Sequence, residues 1–216
     1  MQNYPWERPT MDDFIRRAEE KFSTLFNMSM EDITKGIQSA CDFFGLEYPN
    51  MVLNLTNQPK GGTMVYNINT STDADDILCY DLEQLMSLGM TTKESFTLIM
   101  THECAHRYFQ GFCFPGLNNG QWEQELACDF FIGVRSVIEQ LDANRVAEGL
   151  GSTSGADTHP DGDLRKQVIM EGKNAVMYLR ANQIPLTLQN CLACFENYRR
   201  VIEPTIFARE QKYLKK

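Results

Sequence analysis

The chain has 216 residues, of which 43% are hydrophobic, and it carries a formal net charge of −9. This length and composition predict one globular domain, and the acidic balance argues against binding to nucleic acid or to an anionic membrane surface. No apolar run is long enough to cross a membrane, no signal peptide is visible, and the seven cysteines form no disulfide framework, so we expect a cytoplasmic protein with reduced thiols.

The first part of the chain predicts two amphipathic helices, over residues 10–27 and 29–44. Ser29 is the expected N-cap of the second helix, and Gly45 is its expected stop.

A small sheet is predicted next. Residues 51–55 and 63–68 have strand character and flank a Pro-Lys-Gly-Gly sequence at 59–62, which is typical of a β-hairpin turn. Residues 77–80 predict a third short strand. We therefore expect a small antiparallel β-sheet before the following helix.

That following helix is predicted over residues 92–109, with Thr91 and Glu94 as a capping box and Gly111 as its stop. Its flanks are apolar enough for a helix buried within the domain. A polar group on such a helix needs a hydrogen-bond partner or a metal.

The predicted helix contains the sequence His102-Glu103-Cys104-Ala105-His106, which reads H-E-x-x-H and includes two of the three histidines in the chain. Residues four apart lie on one helix face, so both imidazoles can reach a single metal ion. Glu103 lies beside them as a proton acceptor. This arrangement is the one that a zinc hydrolase needs, although the pentad also occurs by chance on helices.

A second helix, predicted to begin at Gln121 and extend as far as residue 150, supplies carboxylates. Glu125 and Asp129 are four residues apart on an otherwise apolar helix, where a buried carboxylate needs a partner. We interpret Glu125, in preference to Glu123, as the third zinc ligand, and Asp129 as the group that holds the outer N–H of a zinc histidine. The alternative is a solvated acidic face.

The third histidine follows in Asp157-Thr158-His159-Pro160, with Arg165 shortly after. His159 is either a hydrogen-bond donor to the oxyanion formed during amide hydrolysis or a loop histidine that caps the next helix or points to solvent.

Helices are predicted over residues 164–182 and 188–212, with Pro204 kinking or breaking the last. Cys191 and Cys194 are interpreted as small hydrophobic residues on one helix face.

These motifs resemble those of the gluzincin branch of the zincin metallopeptidases. H-E-x-x-H followed by Glu-x-x-x-Asp, and then Thr-His-Pro with a later Arg, is similar to small HtpX-like peptidases and, more loosely, to Lit-like peptidases. The 18 residues between His106 and Glu125 match the ligand spacing of the aminopeptidase N-like family. The chain departs from HtpX-like enzymes in lacking a predicted membrane anchor.

The resemblance implies a zincin-like fold in which a sheet edge before the active-site helix binds extended substrate; the strand at 63–69 or the strand at 77–80 would have that role. A tyrosine such as Tyr66 or Tyr108 would assist in polarising the substrate carbonyl.

Together these observations predict an α+β, predominantly helical, zincin-like fold with a small antiparallel sheet. Residues 1–216 form a single metallopeptidase-like domain, with N-terminal helices in 1–46, the sheet in 50–80, and the active-site and C-terminal helices in 91–216.

The predicted function is zinc-dependent hydrolysis of a protein or peptide substrate, with His102, His106 and Glu125 as ligands, and Glu103 and His159 in catalysis. One alternative is a catalytically weak zincin-fold protein that binds metal for regulation or partner recognition. Another is a helical interaction domain in which the pentad occurs by chance.

Overall fold

The computed structural model describes residues 28–54, 65–67 and 77–214. The helix predicted at 10–27 and the turn at 59–62 lie outside these residues. Within them, the predicted predominance of helix is confirmed: seven α-helices accompany three short strands. The elements, in chain order, are α1 Met30–Phe44, β1 Met51–Asn54, β2 Val65–Asn67, β3 Ile77–Tyr80, α2 Leu82–Ser87, α3 Lys93–Tyr108, α4 Gln121–Ile138, α5 Asn144–Gly151, α6 Gly162–Ala181 and α7 Leu188–Leu214.

The sheet is mixed, so the expectation of an antiparallel sheet built on a hairpin is wrong. The strand order is β1-β3-β2; β1 runs parallel to β3, and β2 runs antiparallel to it. Strand alternation and a turn signal indicate a chain reversal but not which strands become neighbours. Leu78 and Tyr80 of β3 are buried, so the last strand in sequence takes the central position.

The central position of β3 also bears on substrate binding by strand addition. Both edges of β3 are paired, one with β1 and the other with β2. The strand at 77–80 therefore has no free edge, and this part of the prediction is wrong. Of the two strands predicted to bind extended substrate, only the one that contains β2 at Val65–Asn67 remains a candidate. Strand β2 also contacts α3.

The ends of the first helices follow local capping rules. Helix α1 begins after Ser29 and ends at Gly45, which has a left-handed φ of 67°, as predicted. The capping box of α3 was predicted one residue too early, because it pairs Thr92 with Ser95. Glu94 instead accepts a hydrogen bond from the backbone N–H of Asp142.

The predicted end of the helix that begins at Gln121 is wrong. Helix α4 ends at Ile138, because Gln140 turns the chain with a φ of 58°, and the separate helix α5 follows. Pro204 was predicted to kink or break the last helix, and of these two effects the break is excluded, because α7 continues past Pro204 to Leu214. Phe195 and Ile206, on either side of the proline, are both buried in the core, so tertiary packing outweighs the cost of the missing backbone donor.

Helix α4 is the central element of the helical core. It contacts α3, α6 and α7, while α1 packs on α3. Its residues from Leu126 to Ser136 are all buried. Such a helix is apolar nearly all round, which explains why polar side chains on α4 must find partners inside the protein.

Glycines allow α4 and α6 to cross at close range. A Cβ atom at Gly133 would collide with the backbone carbonyl oxygen of Ile169, and one at Gly172 would collide with that of Phe130. Each helix thus contributes a glycine where the other presents its backbone. This contact brings the middle of α6 against the second half of α4.

We expect Gly172→Ala to destabilise the fold by about 1–3 kcal/mol, because the added methyl group must push α6 away from α4. Urea unfolding measures the change in the free energy of unfolding. Gly151→Ala is the matched control, since its Cβ would meet the flexible side chain of Lys166 at 3.3 Å and the backbone oxygen of Gly162 at 3.8 Å, which is an ordinary contact distance. An equal loss in the two variants would contradict the close crossing.

Candidate metal centre

Helix α3 presents His102 and His106 on one face. Their Nε2 atoms are 3.1 Å apart. His102 is buried, whereas the His106 side chain is 23% exposed. The pair therefore lies at the edge of the core, with one imidazole held inside the protein and the other reachable from solvent.

Glu125 on α4 completes a triangle with the two imidazoles. One of its carboxylate oxygens lies 3.3 Å from His102 Nε2, and the other lies 3.3 Å from His106 Nε2. Ligands of a tetrahedral zinc ion at the usual 2.0–2.1 Å are about 3.3–3.4 Å from one another. The two imidazole nitrogens and the carboxylate therefore lie close enough together to contact one small metal ion, with each nitrogen beside a different oxygen of Glu125.

Asp129, one turn further along α4, contacts the other side of His102. Its Oδ1 atom lies 2.9 Å from His102 Nδ1. An acceptor at Nδ1 keeps the proton on that nitrogen and leaves Nε2 free to bind a metal. The structure thus places Asp129 where the sequence predicts an orienting carboxylate.

Arg165 on α6 forms the next contact outward. Its Nε and one terminal nitrogen bind the two oxygens of Asp129 at 2.7 and 2.9 Å, and the same terminal nitrogen lies 3.9 Å from Glu125 Oε2. Both Arg165 and Asp129 are buried. The sequence indicated Arg165 only as part of a motif, whereas the structure shows it anchoring the carboxylate behind His102.

Cys128 is a possible ligand that the sequence analysis did not identify. The ligand atoms of His102, His106 and Cys128 all lie within 4.8 Å of one another, and this group could hold a metal ion. Burial, together with the charges of Glu125, Asp129 and Glu103, holds the pKa of the Cys128 thiol well above its usual value. The sequence did contain a signal for this residue: Cys128 follows Glu125 by three positions, which puts the two side chains on one face of α4.

Glu125 and Cys128 are therefore two candidates for a third ligand, and the carboxylate oxygens of Glu125 lie 3.3 Å from the imidazole nitrogens. Glu123, the other carboxylate considered, lies elsewhere: its oxygens occupy the space beside Gly116 that a Cβ atom would fill.

The imidazoles and carboxylates of the site shift one another's pKa values in opposite directions. Burial by itself would lower the pKa of His102, but Asp129 and Glu125 raise it to about 10. Burial by itself would raise the pKa of Glu125, yet His106 and His102 hold it well below its usual value. In the metal-free protein, protonated imidazole therefore supplies the positive charge that these carboxylates require.

Glu103 lies beside this cluster and is itself buried, with 5% of its surface exposed. Burial and the nearer carboxylates dominate the shifts of Cys128 and Arg165, and the charge of Glu103 adds to the raised pKa of both groups.

His159 approaches the centre from the loop before α6. Its Nε2 atom lies 3.6 Å from Glu125 Oε1, and its Nδ1 atom is hydrogen-bonded to Thr158 Oγ1 at 2.7 Å. The side chain is 44% exposed. The residue does not cap the next helix, because Asp161 accepts the hydrogen bond from Leu164 N–H there. The loop histidine therefore faces the metal centre at its solvent side.

The two tyrosines considered for carbonyl polarisation lie differently. Tyr108 packs in an aromatic cluster with Phe44, Phe109 and Phe112. The side chain of Tyr66 lies outside the described residues.

No known family profile, curated protein or solved structure matches this chain, so the resemblance to gluzincins remains a prediction. None of the helices among residues 28–54 and 77–214 has the length and apolar character needed to span a membrane.

We expect Arg165→Ala to lower the free energy of unfolding by about 3–5 kcal/mol, because it leaves the buried charge of Asp129 without its guanidinium partner. Chemical denaturation of the metal-free protein measures the loss. Lys35→Ala is the control, since the side chains of Lys35 and its partner Glu31 are 71% and 73% exposed, and we expect a much smaller loss because an exposed ion pair contributes little. Similar losses in both variants would contradict a special role for the Arg165–Asp129 pair.

Proposed function

We propose that this protein is a zinc-dependent peptidase whose metal ligands are His102, His106 and Glu125. The observation that carries the proposal is the convergence of these side chains: the two Nε2 atoms are 3.1 Å apart, and each lies 3.3 Å from a different oxygen of the Glu125 carboxylate. Two imidazoles and one carboxylate are a ligand set of catalytic zinc sites, in which a fourth position is kept for water or substrate.

The ligand chemistry favours zinc over other common ions. Imidazole nitrogens suit zinc and other late transition metals, whereas calcium and magnesium prefer sites built from oxygen atoms. A bound zinc ion would lower the pKa of its water to about 7 and would polarise the carbonyl of a peptide bond.

Glu103 is the proposed general base. It follows His102 directly on α3 and lies close enough to Cys128 and Arg165 to shift their pKa values. Its carboxylate takes the proton of the attacking water and then delivers a proton to the leaving amine. A site that only stored a metal or maintained the fold would have no use for this buried carboxylate.

Asp129 and Arg165 hold the site in position. The carboxylate of Asp129 lies 2.9 Å from His102 Nδ1, where it favours the proton on that nitrogen and so fixes which nitrogen of the ring can bind a metal. Arg165 fixes both oxygens of Asp129. Because the three residues come from α3, α4 and α6, the chain of contacts aligns the histidine with the third ligand on α4.

His159 is the proposed donor to the oxyanion. It is exposed enough to meet substrate, and it lies within 3.6 Å of Glu125 at the rim of the site. The hydrogen bond at Nδ1 with Thr158 orients its ring. A donor aimed at the developing negative charge stabilises the transition state of amide hydrolysis.

We expect Glu103→Gln to bind zinc as the wild type does and to lose hydrolysis, because glutamine keeps the shape of the side chain but cannot accept the water proton. Cleavage of a broad peptide library, followed by mass spectrometry, measures the activity, and elemental analysis measures the zinc. Retained cleavage by the variant would exclude this mechanism. Stoichiometric zinc without any cleavage by the wild type would favour a metal-binding regulatory protein instead.

We expect Glu125→Ala to lose most of its bound zinc, since the change removes one of three ligands. Cys128→Ala should retain zinc if the carboxylate is the ligand, and Glu123→Ala should retain it because Glu123 lies beside Gly116 and away from the site. Elemental analysis of the three purified variants beside the wild type gives the stoichiometry. Loss of zinc from Cys128→Ala but not from Glu125→Ala would move the third ligand to the thiolate.

A further inference from the structure

Two free cysteines face each other where α1 packs on α3. Cys41 of α1 and Cys104 of α3 are both fully buried. Their Sγ atoms are 3.7 Å apart, so the two thiols are in direct contact. Neither thiol takes part in the proposed zinc site, because Cys104 lies on the side of α3 toward α1, whereas His102 and His106 face Glu125 on α4. The contact between the thiols therefore needs an interpretation of its own.

Contacts on both sides of the cysteines hold them in register along the interface of α1 and α3. Nearer the start of both helices, Lys93 Nζ binds a carboxylate oxygen of Asp32 at 2.8 Å. Nearer their ends, the ring centroids of Phe44 and Tyr108 are 5.2 Å apart. The two helices thus run side by side in the same direction, and the thiols meet between these two contacts.

The positions of the two sulfur atoms are compatible with a bond between them. A disulfide bond is about 2.0 Å long, so the sulfur atoms of Cys41 and Cys104 need to approach each other by about 1.7 Å from their distance of 3.7 Å. Rotation of each side chain about its Cα–Cβ bond moves the sulfur atom over this range. The change therefore requires no new pairing of helices.

We propose that Cys41 and Cys104 form a reversible oxidation site, at which hydrogen peroxide converts the two thiols into a disulfide between α1 and α3. In the first step, one thiol is oxidised to a sulfenic acid, and the peroxide is reduced to water. In the second step, the sulfur of the other thiol attacks the sulfenic sulfur, the S–S bond forms, and the hydroxyl group leaves with the thiol proton as water. Two thiols and one peroxide thus give one disulfide and two waters. An external thiol reverses the reaction by thiol–disulfide exchange.

The contact between the two thiols favours the second step of this reaction. A sulfenic acid on either cysteine has the other thiol beside it. Condensation then competes well with further oxidation to sulfinic acid, which is not reversed by thiols.

Helix α1 provides a route for the oxidant to these buried thiols. It packs chiefly on α3, and its other face is open to solvent, with Glu31, Lys35 and Gln38 exposed. Local separation of such a helix costs less free energy than global unfolding, and hydrogen peroxide is little larger than water. Because the separation must come first, we expect the pair to react more slowly than the exposed thiol of Cys113.

The disulfide would tie α1 to the helix that carries both zinc-binding histidines. It would close a loop from Cys41 to Cys104 that includes all three strands and α2. Constraining so long a loop in the unfolded chain stabilises the folded state. Oxidation should therefore make the protein more resistant to unfolding.

The test is treatment of the full-length protein with a series of hydrogen peroxide concentrations, followed by alkylation of the remaining thiols in denaturant, proteolysis and mass spectrometry. We expect a pair of peptides joined through Cys41 and Cys104, which separates when dithiothreitol is added. Urea unfolding should have a higher midpoint for the oxidised protein than for the reduced protein.

Cys41→Ala should lose both the cross-link and the gain in the urea midpoint. Cys191→Ala, which also removes a buried thiol, is the matched control and should keep both. Absence of the Cys41–Cys104 peptide from the wild type, at peroxide concentrations that oxidise Cys113, would overturn the proposal whether or not Cys41→Ala folds. An equal gain in the urea midpoint for Cys41→Ala and the wild type would also contradict it. These readouts do not depend on zinc or on peptide hydrolysis.

Discussion

The arrangement of the site depends on the contacts that the buried carboxylate of Asp129 makes with His102 and Arg165. It joins His102 of α3 to Arg165 of α6 from its own position on α4, at distances of 2.7 to 2.9 Å. A charge in such a place is tolerated only when its partners are held in good geometry. The close glycine crossing of α4 and α6 provides that geometry, because it holds the two helices together about one turn from Asp129 and Arg165.

The same requirement explains the electrostatics of the metal centre. Helix α4 is buried along most of its length, yet it carries Glu125, Cys128 and Asp129 on the face toward α3. These groups are consistent with the apolar surroundings only if positive charge lies between them. Arg165 supplies part of it, and protonated histidine or a metal ion supplies the rest. The pKa of His102 is raised to about 10 because Asp129 and Glu125 stabilise positive charge on its ring.

Much of the site could be predicted because it depends on spacing within single helices. The intervals from His102 to His106 and from Glu125 to Asp129 each span one helical turn, so each pair shares a face wherever the helix lies. The caps of α1 were predictable for the same reason. The order of the strands was not, since alternation along a strand does not identify its neighbour, and the error of one residue at the cap of α3 reflects two adjacent threonines with similar capping ability.

The sequence by itself determined the local pieces: the helix that carries the pentad, the carboxylates one turn apart, and the predominance of helix. Only the tertiary structure decided which pieces meet. It brought Arg165 to Asp129 and Cys128 to the histidines, put β3 in the middle of the sheet, and buried the side chains of Glu123 and Glu210. The physical reason is range: helix periodicity and capping act between residues a few positions apart, whereas burial and charge pairing depend on how distant helices pack.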